Sequence, residues 1–274
     1  MPAFSKSKGM LMRIPCVRDH PYRQKKQRNP IRTVVSFQRK RIFIGRERTM
    51  KITAIIGSPR GAKGATGRLA QIVIKGAGRQ GADTEIFTIK GQEIKPCRAC
   101  DICHRDGVCP QKDSFRAIQE SIDKADGIIL ASPNYIFQVS AQLKAFLDRS
   151  AGALHLQTFE GKYGAAVVTS GGGDEAPIAD YMQHFLAIAG AIPVGAVWAT
   201  MGRIRNYDFP PELVQRARAL GERLVQAWKN KETNPAYAEV TRTFHKRMRS
   251  LMQYRREEWP YEYGYWKTHR GLKD

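Results

Sequence analysis

Residues 51–90 read KITAIIGSPRGAKGATGRLAQIVIKGAGRQGADTEIFTIK, and their pattern decides the fold. The run at 51–58 is short and apolar and ends in Gly and Ser, which is typical of a buried parallel strand. Apolar residues then recur at helical spacing over 67–82, and 83–90 returns to a strand pattern. A helix between two strands predicts a right-handed βαβ unit.

The same alternation continues along the chain. It predicts strands at 126–132, 163–170 and 192–200 and helices at 113–124, 140–154, 176–189, 210–230 and 233–258. This order predicts an α/β fold with a doubly wound, five-stranded parallel sheet and a helical C-terminal extension. Ligands of such sheets bind at the carboxyl ends of the strands, so the loops at 57–67, 132–139 and 170–175 form the predicted site.

Three regions follow from this pattern. Residues 1–49 form a basic tail that we expect to be disordered or to result from a start codon placed too early. Residues 50–230 form the α/β domain, with a cysteine-rich insert at 96–110, and residues 231–274 form a helical extension with an aromatic end.

Positive charge is concentrated in the tail. Residues 1–49 hold five Lys and nine Arg against Asp19 and Glu47, so more than half of the net charge of +21 lies there. The tail is a start-site artefact, a segment that meets anionic partners, or an Arg-rich transit peptide. The tail contains no nucleic-acid recognition motif, so we expect no nucleic-acid partner. The chain also lacks a membrane-spanning apolar run and a secretory signal, which predicts a cytoplasmic protein without membrane contact.

The segment IIGSPRGAKGATGR, residues 55–68, predicts a phosphate-binding loop between the first strand and the first helix. Its glycines expose backbone N–H groups, Ser58 and Thr66 add hydroxyls, and the helix N-terminus attracts anions. The segment lacks both the Walker A ending and the dinucleotide motif G-x-G-x-x-G. A monophosphate such as that of FMN therefore fits best, because a flavin can lie at the switch point of this kind of sheet.

Two further loops can form the walls of a flavin site. A flavin ring needs flat apolar or aromatic walls and a few polar partners at its edge. The first candidate set follows the third predicted strand: Ser132, Pro133, Asn134, Tyr135, Ile136 and Phe137. The second follows the fourth predicted strand: Thr169, Ser170, Gly171 and Gly172.

Four of the five cysteines lie within thirteen positions, spaced C-x2-C-x2-C-x5-C: Cys97, Cys100, Cys103 and Cys109. Zinc sites more often contain two separate C-x2-C pairs, whereas three successive x2 steps are typical of a cubane iron–sulfur cluster. An iron–sulfur cluster, a zinc ion and metal-free thiols all remain open from the spacing. For His104, inside the motif, we expect an exposed loop position rather than a role as a metal ligand.

Together, GSPRGAKGATG, the cysteine segment and SPNYIFQVSAQLKAFLDR resemble the iron–sulfur flavoprotein family, within the flavodoxin-like NADPH-dependent FMN reductase superfamily. The resemblance covers about 50–230. It implies a flavodoxin-like sheet, FMN, a [4Fe–4S] cluster on the four cysteines, and a homodimer or homotetramer. By position, Ser58, Arg60, Thr66 and Gly67 would hold the FMN phosphate. The chain departs from the family at Ala65, where an Asn often precedes the Thr.

The resemblance implies an oxidoreductase that transfers electrons between FMN and a cluster and exchanges them with NAD(P)H or with a redox protein such as a ferredoxin. We expect no catalytic side chain, because the flavin itself supplies the redox chemistry. The alternative is an NAD(P)H-dependent FMN or quinone reductase without a cluster, whose cysteines bind zinc or remain free.

Overall fold

The computed structural model of the protein describes residues 32–35, 48–91 and 93–273, and for 32–35 it describes the backbone alone. The strands in this part of the chain form one mixed sheet: β1 Arg32–Val35, β2 Lys51–Gly57, β3 Asp83–Ile89, β4 Gly127–Tyr135, β5 Gln138–Val139, β6 Tyr163–Ser170 and β7 Ile192–Thr200.

The five long strands are parallel and lie in the order β3-β2-β4-β6-β7. Numbered among themselves, they follow the order 2-1-3-4-5, which is that of flavodoxin-like sheets. The predicted five-stranded parallel sheet is therefore confirmed. The order reverses between β2 and β4, and the carboxyl ends of these two strands mark the switch point at which ligands bind.

Strand β1 pairs antiparallel with the outer edge of β3. The sequence analysis predicts no strand before Met50, and the structure differs at these four residues. Their backbone covers an edge that would otherwise present unpaired N–H and C=O groups. The remainder of the predicted disordered tail, 1–31 and 36–47, lies outside the described residues.

Helices cover both faces of the sheet and continue beyond it: α1 Ala65–Arg79, α2 Ile102–Asp106, α3 Phe115–Lys124, α4 Ala141–Arg149, α5 Ala151–Leu156, α6 Glu175–Ile188, α7 Pro211–Lys229, α8 Pro235–Tyr254 and α9 Pro260–Arg270. Helices α1 and α7 contribute to one apolar core, and α3, α4 and α6 contribute to the other. A Cβ on Gly221 of α7 would lie 1.9 Å from the carbonyl oxygen of Val73, so these two helices pack backbone against backbone.

The C-terminal extension is helical, as predicted, but it contains two helices. Phe244, Met248 and Met252 of α8 form a third apolar cluster with Trp266 of α9 and Leu156 of α5. The aromatic end, predicted without a secondary structure, is thus helix α9. No helix of the described residues has both the length and the apolar character needed to cross a bilayer.

Candidate functional site

The predicted phosphate loop lies at the switch point. After β2, the loop makes a single 3-10 turn at Gly61–Lys63, and α1 begins at Ala65. A Cβ on Gly67 would lie 2.4 Å from the carbonyl oxygen of Gly61, so the loop folds directly onto the start of the helix. The first-turn N–H groups of α1 have no partner within the helix, and the positive end of the helix dipole lies there. The local geometry is that of an anion site.

The end of β6 contacts the first turn of α1, directly after the phosphate loop. Thr66 and Thr169 are both buried, and their hydroxyl oxygens lie 2.6 Å apart. Ser58 is also buried, whereas Arg60 is exposed at the mouth of the loop. The structure therefore brings together the ends of β2 and β6, as the sequence predicts.

The loop after β4 is a tight hairpin that connects β4 to β5. Its two central residues, Ile136 and Phe137, have φ angles of 49° and 60°. Two consecutive left-handed residues define a type I′ turn, in which Asn-Gly is the preferred pair. Ile136 is 90% exposed and Phe137 is 71% exposed. The protein thus holds two apolar side chains in water on a strained backbone, a combination that stability alone does not favour.

Asn134 lies between this hairpin and the loop after β6. Its Nδ2 donates to the carbonyl oxygens of Gly173 at 3.1 Å and Asp174 at 3.3 Å, while its Oδ1 is buried without a partner. A Cβ added to Gly171 or Gly172 would meet nothing within 4 Å, so the glycine loop borders open space. An unused acceptor beside an open wall suits a planar ligand that carries an N–H donor.

Ser132 and Ser170, the serines of the two predicted flavin loops, already have hydrogen-bond partners within the protein. Ser132 donates its hydroxyl to the carbonyl oxygen of Pro133 and accepts from the N–H of Ser140, each at 2.8 Å. Ser170 donates to Glu175 and accepts from the N–H of Gly173. Both hydroxyls therefore shape the loops rather than face an empty position.

Glu175 anchors the loop after β6. Its carboxylate accepts hydrogen bonds from the hydroxyls of Ser170 and Thr200, the latter at 2.6 Å. Burial alone would raise the pKa of Glu175, but these hydroxyl hydrogen bonds hold the pKa below its usual range. The sequence analysis did not select Glu175, because a single Glu after a Gly-rich turn has no distinguishing pattern.

The cysteine segment forms an exposed loop and the short helix α2. Cys97 and Cys100 are exposed, Cys103 and Cys109 are half-buried, and all four thiols are free. Ala99 and Asp101 have left-handed backbones, with φ of 48° and 54°. The chain therefore turns sharply on both sides of Cys100 within an otherwise extended loop.

Each cysteine has a positively charged or N–H neighbour. Cys103 directly precedes His104 in α2, and Cys109 interacts electrostatically with the guanidinium of Arg149. Arg105 interacts electrostatically with Cys100, and the N–H of Ala99 donates to the Cys97 sulfur at 3.4 Å. Nearby charge and hydrogen bonds to the sulfurs are among the features that tune an iron–sulfur cluster.

A buried ion pair fixes the ends of the segment to α4. Arg149 binds both carboxylate oxygens of Asp113, at 2.7 and 3.2 Å, and donates to the carbonyl oxygen of Lys95 at 3.0 Å. Burial alone would raise the pKa of Asp113, but Arg149 and the N–H groups of Lys95 and Phe115 hold the pKa below its usual range. The loop from 95 to 113 is therefore closed at its base.

His104 is buried, so the prediction of an exposed loop histidine was wrong. Its Nδ1 lies 2.6 Å from Glu262 of α9, which binds His155 of α5 with its other oxygen at 2.9 Å. Burial alone would lower the pKa of His104, but hydrogen bonds and negative charge from Cys103 and Glu262 raise it to about 10. Nothing in the sequence links a Glu near the C-terminus to the cysteine motif, and this contact was missed.

The donor atoms of His104, His155 and Glu262 lie within 4.8 Å of one another. Among the described residues, the cysteine sulfurs do not gather in this way. A single zinc ion draws its ligands to about 2.3 Å, whereas a cubane takes one thiolate for each of four irons.

Residues 50–205 match the NADPH-dependent FMN reductase family. An iron–sulfur flavoprotein of Archaeoglobus fulgidus is 32% identical over 183 residues, which are 66% of this chain and 82% of the relative. An iron–sulfur flavoprotein of Methanocaldococcus jannaschii is 32% identical over 194 residues, which are 66% of this chain and 98% of the relative.

The fold also resembles that of a solved NADH:FMN oxidoreductase in its apo form. The two share 18% sequence identity with a TM-score of 0.50, over 69% of this chain and 94% of the other. At this identity the likeness concerns the fold alone.

Proposed function

Because the chain belongs to the iron–sulfur flavoprotein family, within the NADPH-dependent FMN reductase superfamily, we propose that it transfers electrons between a bound FMN and a [4Fe–4S] cluster. It is a flavin-dependent redox protein. The observation that carries the cluster half of the proposal is the set of four free thiols, each beside a cation or an N–H donor.

The FMN phosphate is bound by the loop between β2 and α1. Ser58, Thr66 and Gly67 contribute hydroxyl and N–H donors at the helix N-terminus, and Arg60 adds positive charge at the mouth. This assignment is supported by the buried contact of Thr66 with Thr169, which holds the loop against the end of β6. Ala65, the residue before Thr66, contributes no side-chain donor to the phosphate.

The flavin ring lies between the hairpin and the glycine loop. Its imide N–H provides the donor that the buried Oδ1 of Asn134 lacks. The exposed side chains of Tyr135, Ile136 and Phe137 form one wall, and Gly171 and Gly172 leave room for the ring on the other side. The residues present thus fit the group.

The cluster is held by Cys97, Cys100, Cys103 and Cys109. A cluster bound by four thiolates is an anion, and positive neighbours together with N–H donors to sulfur stabilise its reduced form. The ion pair of Arg149 with Asp113 keeps the segment closed, which limits the ligand positions that the thiols can adopt. When bound, the flavin exchanges electrons in pairs or singly and the cluster exchanges them singly.

The external partner is NAD(P)H or a redox protein such as a ferredoxin. An acidic protein partner is supported by the surface near the exposed Cys97 and Cys100, where Arg98 and Lys112 are exposed cations and Val108 is an exposed apolar residue. Charge complementarity of this kind steers association and sets partner choice. A homodimer or homotetramer remains part of the proposal.

The test is the content of iron, acid-labile sulfide, zinc and FMN per chain in protein purified without oxygen. About four irons and one FMN are expected. Cys100→Ser should lose iron and keep FMN, and Cys16→Ser, at the cysteine outside the motif, should keep both. FMN with zinc, or FMN without iron, would contradict the cluster and leave an NAD(P)H-dependent FMN or quinone reductase.

Asn134→Ala tests the flavin position separately. Losing a buried acceptor for the flavin should weaken FMN binding roughly tenfold. Fluorescence titration of the apoprotein measures this affinity. An unchanged affinity would place the ring elsewhere.

A further inference from the structure

Helix α9 packs against the α2 part of the cysteine segment, although α9 lies outside the residues that match the reductase family. A Cβ added to Gly107, at the end of α2, would lie 2.5 Å from the ring of Tyr261, so the two elements are in direct contact. The next residue of α9, Glu262, has no solvent exposure.

Glu262 connects three elements through its two oxygens. Oε1 accepts from Nδ1 of His104 on α2 at 2.6 Å, and Oε2 accepts from Nδ1 of His155 on α5 at 2.9 Å. A buried carboxylate is tolerated when each oxygen is hydrogen-bonded, as here. The bridge therefore fixes the position of α2 relative to both α5 and α9.

The geometry of the two histidine rings indicates that His104, His155 and Glu262 form a hydrogen-bond bridge and not a metal site. The rings of His104 and His155 are stacked, with centroids 4.7 Å apart and planes 19° apart, and Trp259 lies against both. A ligating nitrogen points its lone pair in the plane of its ring. Two nearly parallel, stacked rings point their lone pairs side by side, so the pairs do not meet at one ion.

His104 directly follows Cys103 in α2. The residue that Glu262 holds by a hydrogen bond is therefore the chain neighbour of a proposed cluster ligand. Partners that orient a ligand or donate to its sulfur tune a metal centre, including its reduction potential.

We propose that Glu262 is a positioning residue of the cysteine centre, which acts through its hydrogen bond to His104 to hold α2, and with it Cys103, in place. This inference rests on the proposed function for its effect on a cluster, whereas the orientation of Cys103 can be measured without one. His155, on α5, is the second attachment point of the bridge.

The test compares Glu262→Met, which removes both acceptors at similar volume, with His104→Phe, His155→Phe and the double variant E262M/H104F. Glu257→Gln, an exposed Glu in the same region, is the matched surface control. In iron-loaded protein, the midpoint potential and EPR signature of the cluster are followed, with the FMN potential as an internal reference.

We expect E262M and H104F to shift the cluster potential by a similar amount, because both variants release α2 and the Cys103 ligand that it carries. The double variant should shift no further than H104F alone, since a residue that acts through another is not additive with it. H155F and E257Q should keep the wild-type potential. Equal potentials in E262M and wild type, or an additive double variant, would overturn the inference.

The second readout uses iron-free protein. Alkylation of Cys103 relative to Cys97, measured above the thiol pKa so that access is limiting, should rise roughly tenfold in E262M and not in E257Q. If wild-type protein purified without oxygen contains no iron, the proposed cluster is refuted. The alkylation ratio would still decide whether Glu262 positions Cys103. If E262M does not fold, Glu262→Gln, which retains one acceptor oxygen, undergoes both measurements with the same criteria.

Discussion

Replacing Ile136 with Asn should stabilise the protein without FMN. A β-branched residue in the left-handed region costs roughly 1–2 kcal/mol, and Asn tolerates this conformation better. The Ile136 side chain is 90% exposed, so its removal costs almost no packing in the apoprotein. The net gain should be about 1 kcal/mol, or roughly 2–4 °C in Tm. Thermal unfolding of the apoprotein measures it.

The same exchange should weaken FMN binding. If the ring lies against the hairpin, the bound state buries Ile136, and burial of such a side chain contributes about 1.5–3 kcal/mol. The loss corresponds to a Kd roughly 10- to 100-fold higher. Fluorescence titration with FMN measures this change, so one substitution should move stability and affinity in opposite directions.

Lys231→Asn is the matched control. Lys231 is also exposed and left-handed, with φ of 51°, but it follows α7 and lies outside the three loops of the site. K231N should raise Tm and leave the Kd for FMN unchanged. An I136N apoprotein that melts below wild type would refute the strain argument, and an unchanged Kd would refute the place of the hairpin beside the flavin.

Gly221→Ala should destabilise the protein by about 1–3 kcal/mol in denaturant unfolding, because its Cβ would overlap the backbone of α1, whereas Gly264→Ala, in open space on α9, should stabilise it. Arg149→Met should cost about 3–5 kcal/mol by leaving the buried Asp113 carboxylate unpaired, and the double variant with Asp113→Asn should recover part of the loss. Glu175→Gln should lower stability at neutral pH. The pKa of Glu175 is lower in the folded than in the unfolded protein. The stability that the ionised Glu175 carboxylate contributes is therefore fully present above the unfolded pKa, and it disappears as pH falls through the folded pKa. The difference from wild type should therefore shrink below about pH 4, and a constant difference would contradict the assignment.

The sheet could be predicted because buried parallel strands are apolar on both faces. The strands at 163–170 and 192–200 have the predicted bounds, since each run is apolar and starts after a turn. Helix α3 begins at Phe115, two residues later than predicted, because Asp113 accepts from the Phe115 N–H and binds Arg149. The predicted helix at 140–154 is divided at Ser150 into α4 and α5.

The missed features depend on contacts that local pattern does not encode. The hairpin at Ile136 and Phe137 lacks the Asn-Gly signal of a type I′ turn, so only the structure reveals its strained backbone. The bridge from Glu262 to His104 joins residues 158 positions apart. Spacing rules identify ligands within one segment, and they do not identify a partner that arrives from the other end of the chain.

The position of α9 also has a consequence for biosynthesis. A ribosome makes the four cysteines well before it makes Glu262, and domains begin to fold from their N-terminal side during synthesis. The α2 part of the cysteine segment therefore has no contact with α9 until that last helix emerges and docks. The cysteine loop is thus open on the side of α2 during that interval, and docking of α9 then covers this side.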